Sequence, residues 1–179
     1  VMDAYAAYYG RPADSNGLEY WADQIRSQPA GIQAIINAFA ASQEFEERFS
    51  HLNNTELVSN IYQQLFNRAP DQGGLDYYVG ELNAGRRSLQ AIALDILSGA
   101  QNSDVLILNN KRRVMADYLI SSNELRKNLS GDVLAELLAQ VSESEASVLD
   151  ACTSTSTHLA DKSSILRRPK TINNVIAIY

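Results

Sequence analysis

Apolar positions along the chain recur with the period of an α-helix. Leu57, Val58, Ile61, Tyr62, Leu65 and Phe66 keep the i, i+1, i+4, i+5 rhythm of a broad buried face. Leu89, Ile92, Ala93, Ile96 and Leu97 repeat it, as do Ile32, Ile35, Ile36 and Phe39. Further along, Val114, Tyr118 and Leu119 and then Val133, Leu134, Leu137, Leu138 and Val141 continue the pattern. No stretch alternates with period two for long enough to predict a strand, so the pattern predicts an all-α helical bundle of roughly eight to ten helices. The longest uninterrupted apolar run, Val105-Leu106-Ile107-Leu108, reads as buried core inside one long helix. No run approaches the roughly 18 apolar residues that a membrane span requires.

The same pattern occurs twice. Gly10-Arg11-Pro12-Ala13-Asp14-Ser15-Asn16-Gly17-Leu18-Glu19-Tyr20-Trp21 aligns without a gap on Asn67-Arg68-Ala69-Pro70-Asp71-Gln72-Gly73-Gly74-Leu75-Asp76-Tyr77-Tyr78, 57 residues later. Arg11/Arg68, Asp14/Asp71, Gly17/Gly74, Leu18/Leu75 and Tyr20/Tyr77 are identical, and Trp21/Tyr78 match in kind. The register extends back to Tyr5/Tyr62 and forward to Ile32-Gln33-Ala34-Ile35 on Leu89-Gln90-Ala91-Ile92. Chance does not hold one register over that distance, so a supersecondary unit has been duplicated. Each unit is predicted as helix, turn, helix, short loop, helix. The second unit's first helix is expected to open near Asn54-Thr55. Its counterpart in the first unit would open before Val1, so the chain is expected to begin just inside its first helix.

These signals divide the chain into unit one (1–52), unit two (53–102), C-terminal helices packing on the repeats (103–157) and a tail or lead into a following domain (158–179). Ser121-Ser122-Asn123-Glu124 and Ser142-Glu143-Ser144-Glu145 fit the capping box that opens helices. The hydroxyl-rich segment 153–157 is expected to close or follow the last helix. Val175-Ile176-Ala177-Ile178-Tyr179 is strand-like.

The repeated turn is the first place to look for chemistry. Asp14 and Asp71 sit where a short carboxylate caps a helix start, and Gly17 and Gly74 where backbones approach closely. Asp-Ser-Asn-Gly also suggests calcium. An EF-hand loop with its glycine at position 6 would put Pro12 or Ala69 at position 1, where an oxygen ligand belongs. Capping is therefore the preferred reading, and no metal site is expected. Arg11 and Arg68 suit either a bidentate clamp on an anion or a tie to a carboxylate within the unit, and the second is preferred. Neighbours on a helix lie about 100° apart, so only one aromatic of each adjacent pair can face inward. Tyr20 and Tyr78 are the candidates for stacking on sugar rings. Arg86-Arg87 and Lys111-Arg112-Arg113 are basic clusters that could meet an anionic polysaccharide, as is Arg167-Arg168-Pro169-Lys170.

The chain as a whole is acidic, with 15 basic against 21 acidic residues, a net charge of −6 and a pI near 4.9. That balance argues against nucleic acid as the main partner. Cys152 is the only cysteine, so no internal disulfide is possible. The start, Val1-Met2-Asp3-Ala4, shows no signal peptide. His51 and His158 lack metal-ligand spacing, and no phosphate-binding glycine loop or nucleophile motif occurs. The sequence predicts no enzyme and no cofactor.

The doubled pattern resembles the duplicated helical repeat domain, of unknown function, found in bacterial S-layer and RTX-type exported proteins. That family often reads Leu-Gly-Arg-x-Pro-Asp-x-x-Gly-Leu-x-Tyr-Trp followed by Ser-x-Glu-Phe. The second copy matches closely except for Asn67, and the first keeps Ser42-Gln43-Glu44-Phe45 but reverses Pro12-Ala13. A weaker similarity links the turn to phycobilisome linker domains. The main resemblance spans about residues 1–155. It implies a non-catalytic N-terminal region that anchors a secreted protein to the bacterial cell surface by binding lipopolysaccharide or a related polysaccharide, with self-association in a surface lattice as a further possibility. The competing expectation is a scaffold module that binds other proteins and no sugar.

Overall fold

The computed structural model describes residues 1–27, 31–125 and 129–160. Among them the chain is entirely helical. It runs α1 (Met2–Tyr9), α2 (Ser15–Ser27), α3 (Gly31–Ala40), α4 (Gln43–Phe49), α5 (Asn54–Phe66), α6 (Gln72–Asn83), α7 (Leu89–Ser98), α8 (Ser103–Leu125), α9 (Gly131–Ala139) and α10 (Glu145–Ala160). Helices α1–α3 and α5–α7 are the duplicated three-helix units. Their equivalent residues fill equivalent core positions. Ile35 and Ile92 are both fully buried, as are the pairs Ile36/Ala93 and Phe39/Ile96. The two units meet through their first helices, α1 against α5, and α8 lies across both.

Local chemistry sets the helix boundaries. Asn53 caps α5 with a complete capping box, in which its side chain accepts from Glu56 N and Glu56 accepts from Asn53 N. Asp71, Ser88 and Ser130 cap α6, α7 and α9 through the side chain alone, accepting from the backbone N–H three residues on. Helix α1 ends on Gly10 and α5 on Asn67, both left-handed with φ of 62° and 54°. Asparagine tolerates that conformation better than other non-glycine residues, so the substitution at the repeat position keeps the cap.

The C-terminal helices are tied to the repeats by side-chain amides. Asn67 Nδ2 donates to Leu138 O (3.0 Å) and Val141 O (2.7 Å), and Asn110 Nδ2 donates to Ser142 O (2.8 Å). These bonds add donors to carbonyls at and just past the end of α9, where Leu138 O also accepts from Val141 N.

Several expectations need correction. Within the run 105–108 only Leu108 is buried. Val105 and Leu106 are 39% and 49% exposed, because the first turn of α8 turns Asp104, held by Arg68, toward the protein and these two outward. Ser121 and Ser122 lie inside α8 and open no helix, and Ser122 Oγ instead donates back to Leu119 O. At the start of α10 the cap is Ser144, whose hydroxyl accepts from Ser147 N. Residues 153–157 form part of α10, with Thr155 and Thr157 donating to carbonyls one turn earlier. The cluster at 167–170 and the strand-like segment at 175–179 lie outside the described residues. No single helix among the described residues is long and apolar enough to cross a membrane.

Candidate functional site

The repeated turn builds the same device twice. Asp14 Oδ1 accepts from Gly17 N and Asp71 Oδ1 from Gly74 N, each at 2.8 Å, which fixes the start of the following helix. The glycine lets a tyrosine hydroxyl reach that helix. A Cβ on Gly17 would stand 2.6 Å from Tyr5 Oη, and one on Gly74 3.2 Å from Tyr62 Oη. The arginine lies over the tyrosine and the next aromatic. Arg11 sits 5.5 Å from the Tyr5 ring and 5.3 Å from Tyr9, and Arg68 sits 5.2 Å from Tyr62 and 5.6 Å from Phe66.

Each arginine spends its fork on a carboxylate from the next stretch of chain. Arg11 Nε and Nη2 donate to Glu44 of α4 at 3.1 and 2.7 Å. Arg68 does so to Asp104 of α8 at 2.8 and 2.6 Å. The remaining terminal nitrogen donates to the next backbone carbonyl, Pro12 O or Ala69 O. The repeated arginines are thus structural ties, Arg11 within its own unit and Arg68 from unit two to the start of α8, each with its charge matched by a carboxylate.

Beside each device lies a cleft. The first, about 720 Å³, is bounded by Arg11, Asp14, Asn16 and Glu44 and by Tyr118, Asn123 and Leu134 of the C-terminal helices. The second, about 430 Å³, is bounded by Tyr62, Phe66, Arg68, Asp71, Tyr78 and Asp95. The repeat thus yields two related concavities. Helices α8 and α9 help wall the first, whereas the second is walled by α5–α7 and the start of α8.

The predicted basic candidates do not assemble into an anion-binding face. Lys111 is only 1% exposed, and its ammonium donates to Gln64 O (2.6 Å) and Asn67 Oδ1 (2.7 Å). Burial among neutral acceptors pushes it down to about 7. It is an internal strut, and the expectation that it meets a surface glycan is corrected. Arg112 forks onto Asp3 (2.7 and 2.8 Å) and Arg113 onto Glu145 (both 2.6 Å). Arg86 donates twice to Glu81, and Arg87 pairs with Asp95. The four arginines of these clusters are each paired with an acidic side chain, a pairing that linear sequence does not display.

The aromatics behave differently. Tyr20 is 56% exposed and stands edge-on to Trp21 at 4.9 Å. In the second unit the exposed member is Tyr77, also 56%, while Tyr78 is half-buried and lines the cleft, with its ring 5.2 Å from Tyr77. Selecting Tyr78 alone missed Tyr77, although the repeat register itself pairs Tyr77 with Tyr20. Glu44, Asp104, Asn16 and Asn123 were also missed. The first two were hidden because their arginine partners lie 33 and 36 residues earlier. Cys152 is half-buried, and burial pushes its thiol up to about 12, away from reactivity.

No curated protein and no solved structure matches this chain at a significant level. A family model does match, over residues 1–49 and again over 36–105, so that the two matches together span residues 1–105 and contain both copies of the turn. That span is more than half of the 179 residues, and the chain belongs to the family described as a domain of unknown function, DUF4214.

Proposed function

We propose that this domain is a non-catalytic anchor of an exported bacterial surface protein, of S-layer or RTX type, and that it binds cell-surface glycan such as lipopolysaccharide. The observation that carries this reading is the cleft of the second unit, with Tyr62 and Tyr78 in its lining and the exposed ring of Tyr77 alongside. Aromatic faces stack on the apolar faces of sugar rings, while fixed donors and acceptors such as the Arg68–Asp104 pair and Asp71 suit hydroxyl groups. The carboxylates of the cleft favour binding over catalysis. Asp104 is held by Arg68, Asp95 by Arg87, and Asp71 caps α6, so each already has a structural task. With the basic clusters paired, recognition rests on stacking and hydrogen bonds rather than on excess positive charge.

A scaffold function is the second reading, favoured by the exposed Val105 and Leu106 at the start of α8. The test is binding of the purified domain to lipopolysaccharide from its source strain, with and without calcium, beside material from a strain lacking the outer polysaccharide. Binding that disappears with the polysaccharide, and weakens roughly tenfold in Tyr78→Ala, supports the anchor. Absence of binding to both materials removes it and leaves the scaffold.

A further inference from the structure

We infer that the first cleft is a second saccharide pocket, selective for uncharged sugar units and walled jointly by the first repeat and the C-terminal helices. This rests on the glycan-binding function proposed above. At about 720 Å³ the cleft is the larger of the two, and it falls within the range of roughly 300–1,000 Å³ typical of small-molecule sites. Three separated parts of the chain converge on it: the turn at Arg11–Asn16, Glu44 of α4, and the C-terminal residues Tyr118, Ser122, Asn123, Leu129, Gly131 and Leu134.

The lining defines the ligand. Arg11 has its charge matched by Glu44 and three of its five N–H groups engaged, on Glu44 and on Pro12 O, so it brings no unpaired positive charge to the cleft. An anion entering here would face Glu44 and Asp14 instead. Ser15, Asn16, Ser122 and Asn123 supply hydroxyls and amides, groups that both donate and accept. Asp14 receives one bond from Gly17 N and, as a carboxylate, accepts more. Leu134 and Leu129 provide an apolar side. Neutral hydroxyls, which donate and accept at one atom and sit on a ring with apolar faces, are the chemistry that this lining fits. Ser15 Oγ donates to Asn123 Oδ1 at 2.7 Å, a bond that joins the start of α2 to α8 within the lining and fixes two of its polar groups.

The domain would then grip two units of a repeating polysaccharide at once. Two weak sites on one rigid body raise the effective concentration of the second contact, and so give retention without a tight single site.

Position also supplies a reporter. Trp21 is the only tryptophan in the chain and packs edge-on against Phe39 at 5.7 Å, which in turn packs on Tyr5 (4.7 Å) beneath Arg11. Occupancy of the first cleft should change its emission, and occupancy of the second should not.

The experiment titrates the whole chain with a short, uncharged fragment of the source strain's surface polysaccharide, by calorimetry and tryptophan emission, at low and high salt. The expected result is about two equivalents per chain, with affinity changing less than roughly twofold across the salt range. Asn16→Ala combined with Asn123→Ala should reduce this to one equivalent and abolish the emission change, at an unchanged melting midpoint. Tyr78→Ala should remove the other equivalent and spare the emission change. One equivalent in the parent chain, insensitive to the asparagine changes, overturns the second pocket and leaves the proposed function standing. A steep loss of the emission-linked affinity with salt overturns the selectivity for uncharged sugar. No binding of the fragment by the parent chain removes both.

Discussion

The two units share their turn nearly atom for atom, yet the chain treats them differently. In unit one the turn opens into the space below α8 and α9, and its left-handed cap is Gly10, which offers no side chain. In unit two the cap is Asn67, whose amide holds the end of α9 and receives the buried ammonium of Lys111. Its cleft is walled by the unit's own helices and the start of α8. Duplication supplied a rigid frame twice. What packed against each copy then made one a fastening for the C-terminal helices and left each with its own opening. A repeated motif therefore marks framework, and function has to be sought where the copies diverge or where their shared framework borders open space.

The largest expected effect comes from making the second cap like the first. Asn67→Gly keeps the left-handed turn but leaves Val141 O without its donor, takes one of several donors from Leu138 O, and leaves Lys111 with one acceptor fewer. Unsatisfied buried polar groups cost about 1–3 kcal/mol each, so the loss should reach roughly 3 kcal/mol in chemical denaturation, with hydrogen exchange quickening first in α9. The reverse change, Gly10→Asn, should cost less than about 1 kcal/mol, because Gln64 stands 3.4 Å from the new Cβ, an ordinary contact. Equal costs would show that the two caps are equivalent and would break the comparison.

A smaller asymmetry is expected at the paired glycines. Gly17→Ala would place Cβ 2.6 Å from the hydroxyl of buried Tyr5, whereas Gly74→Ala meets Tyr62 Oη at 3.2 Å. Overpacking of the first kind costs about 1–3 kcal/mol, while in the second the gain in helix propensity, about 1 kcal/mol, offsets most of the strain. Thermal denaturation should therefore show a clear drop for Gly17→Ala and a shift near zero for Gly74→Ala.

Lys111 distinguishes the units through pH. Its folded value of about 7 lies below the ordinary 10.5, so between those limits the unfolded chain holds more protons and stability rises with pH. The burden of burying the ammonium is complete below about pH 7 and lifts as pH rises, at up to about 1.4 kcal/mol per unit for one proton. From about pH 7 to 9, below the range where tyrosines titrate, stability measured in urea should climb in the parent chain. Lys111→Met should flatten that climb. A slope that survives the substitution would assign it to another group and free Lys111 of this role.

Much of the architecture was legible because helical period and duplication are written in linear order. Leu57–Phe66 and Leu89–Leu97 announced α5 and α7, and the 57-residue register fixed which side chains would play matching parts. The site was far less legible. Arg86-Arg87 and Lys111-Arg112-Arg113 read as surface charge, but the arginines' carboxylate partners come from other parts of the chain, and the burial of Lys111 among neutral acceptors is set by α5 and α8 packing together. Val105 and Leu106 show the converse. Hydrophobicity predicted burial, but in the first turn of α8 the buried side is taken by Asp104, paired with Arg68, and the apolar pair faces out. The clefts were invisible for the same reason, since each joins residues more than 30 positions apart.

The smallest expected effect on folding is the sharpest test of what the two units share. Tyr20 and Tyr77 occupy the same repeat position, are equally exposed, and each touch an aromatic neighbour at about 5 Å. Tyr20→Ala and Tyr77→Ala should each shift stability by less than about 0.5 kcal/mol, as exposed substitutions usually do. Glycan retention should nonetheless fall in both, and further in the double substitution, because a surface ring gains its energy only when a ligand covers it. If either tyrosine costs folding stability well beyond that limit, its ring supports the helix rather than a ligand. If both are silent in retention as well as in stability, the exposed aromatics are a residue of duplication alone, and binding has to reside within the clefts.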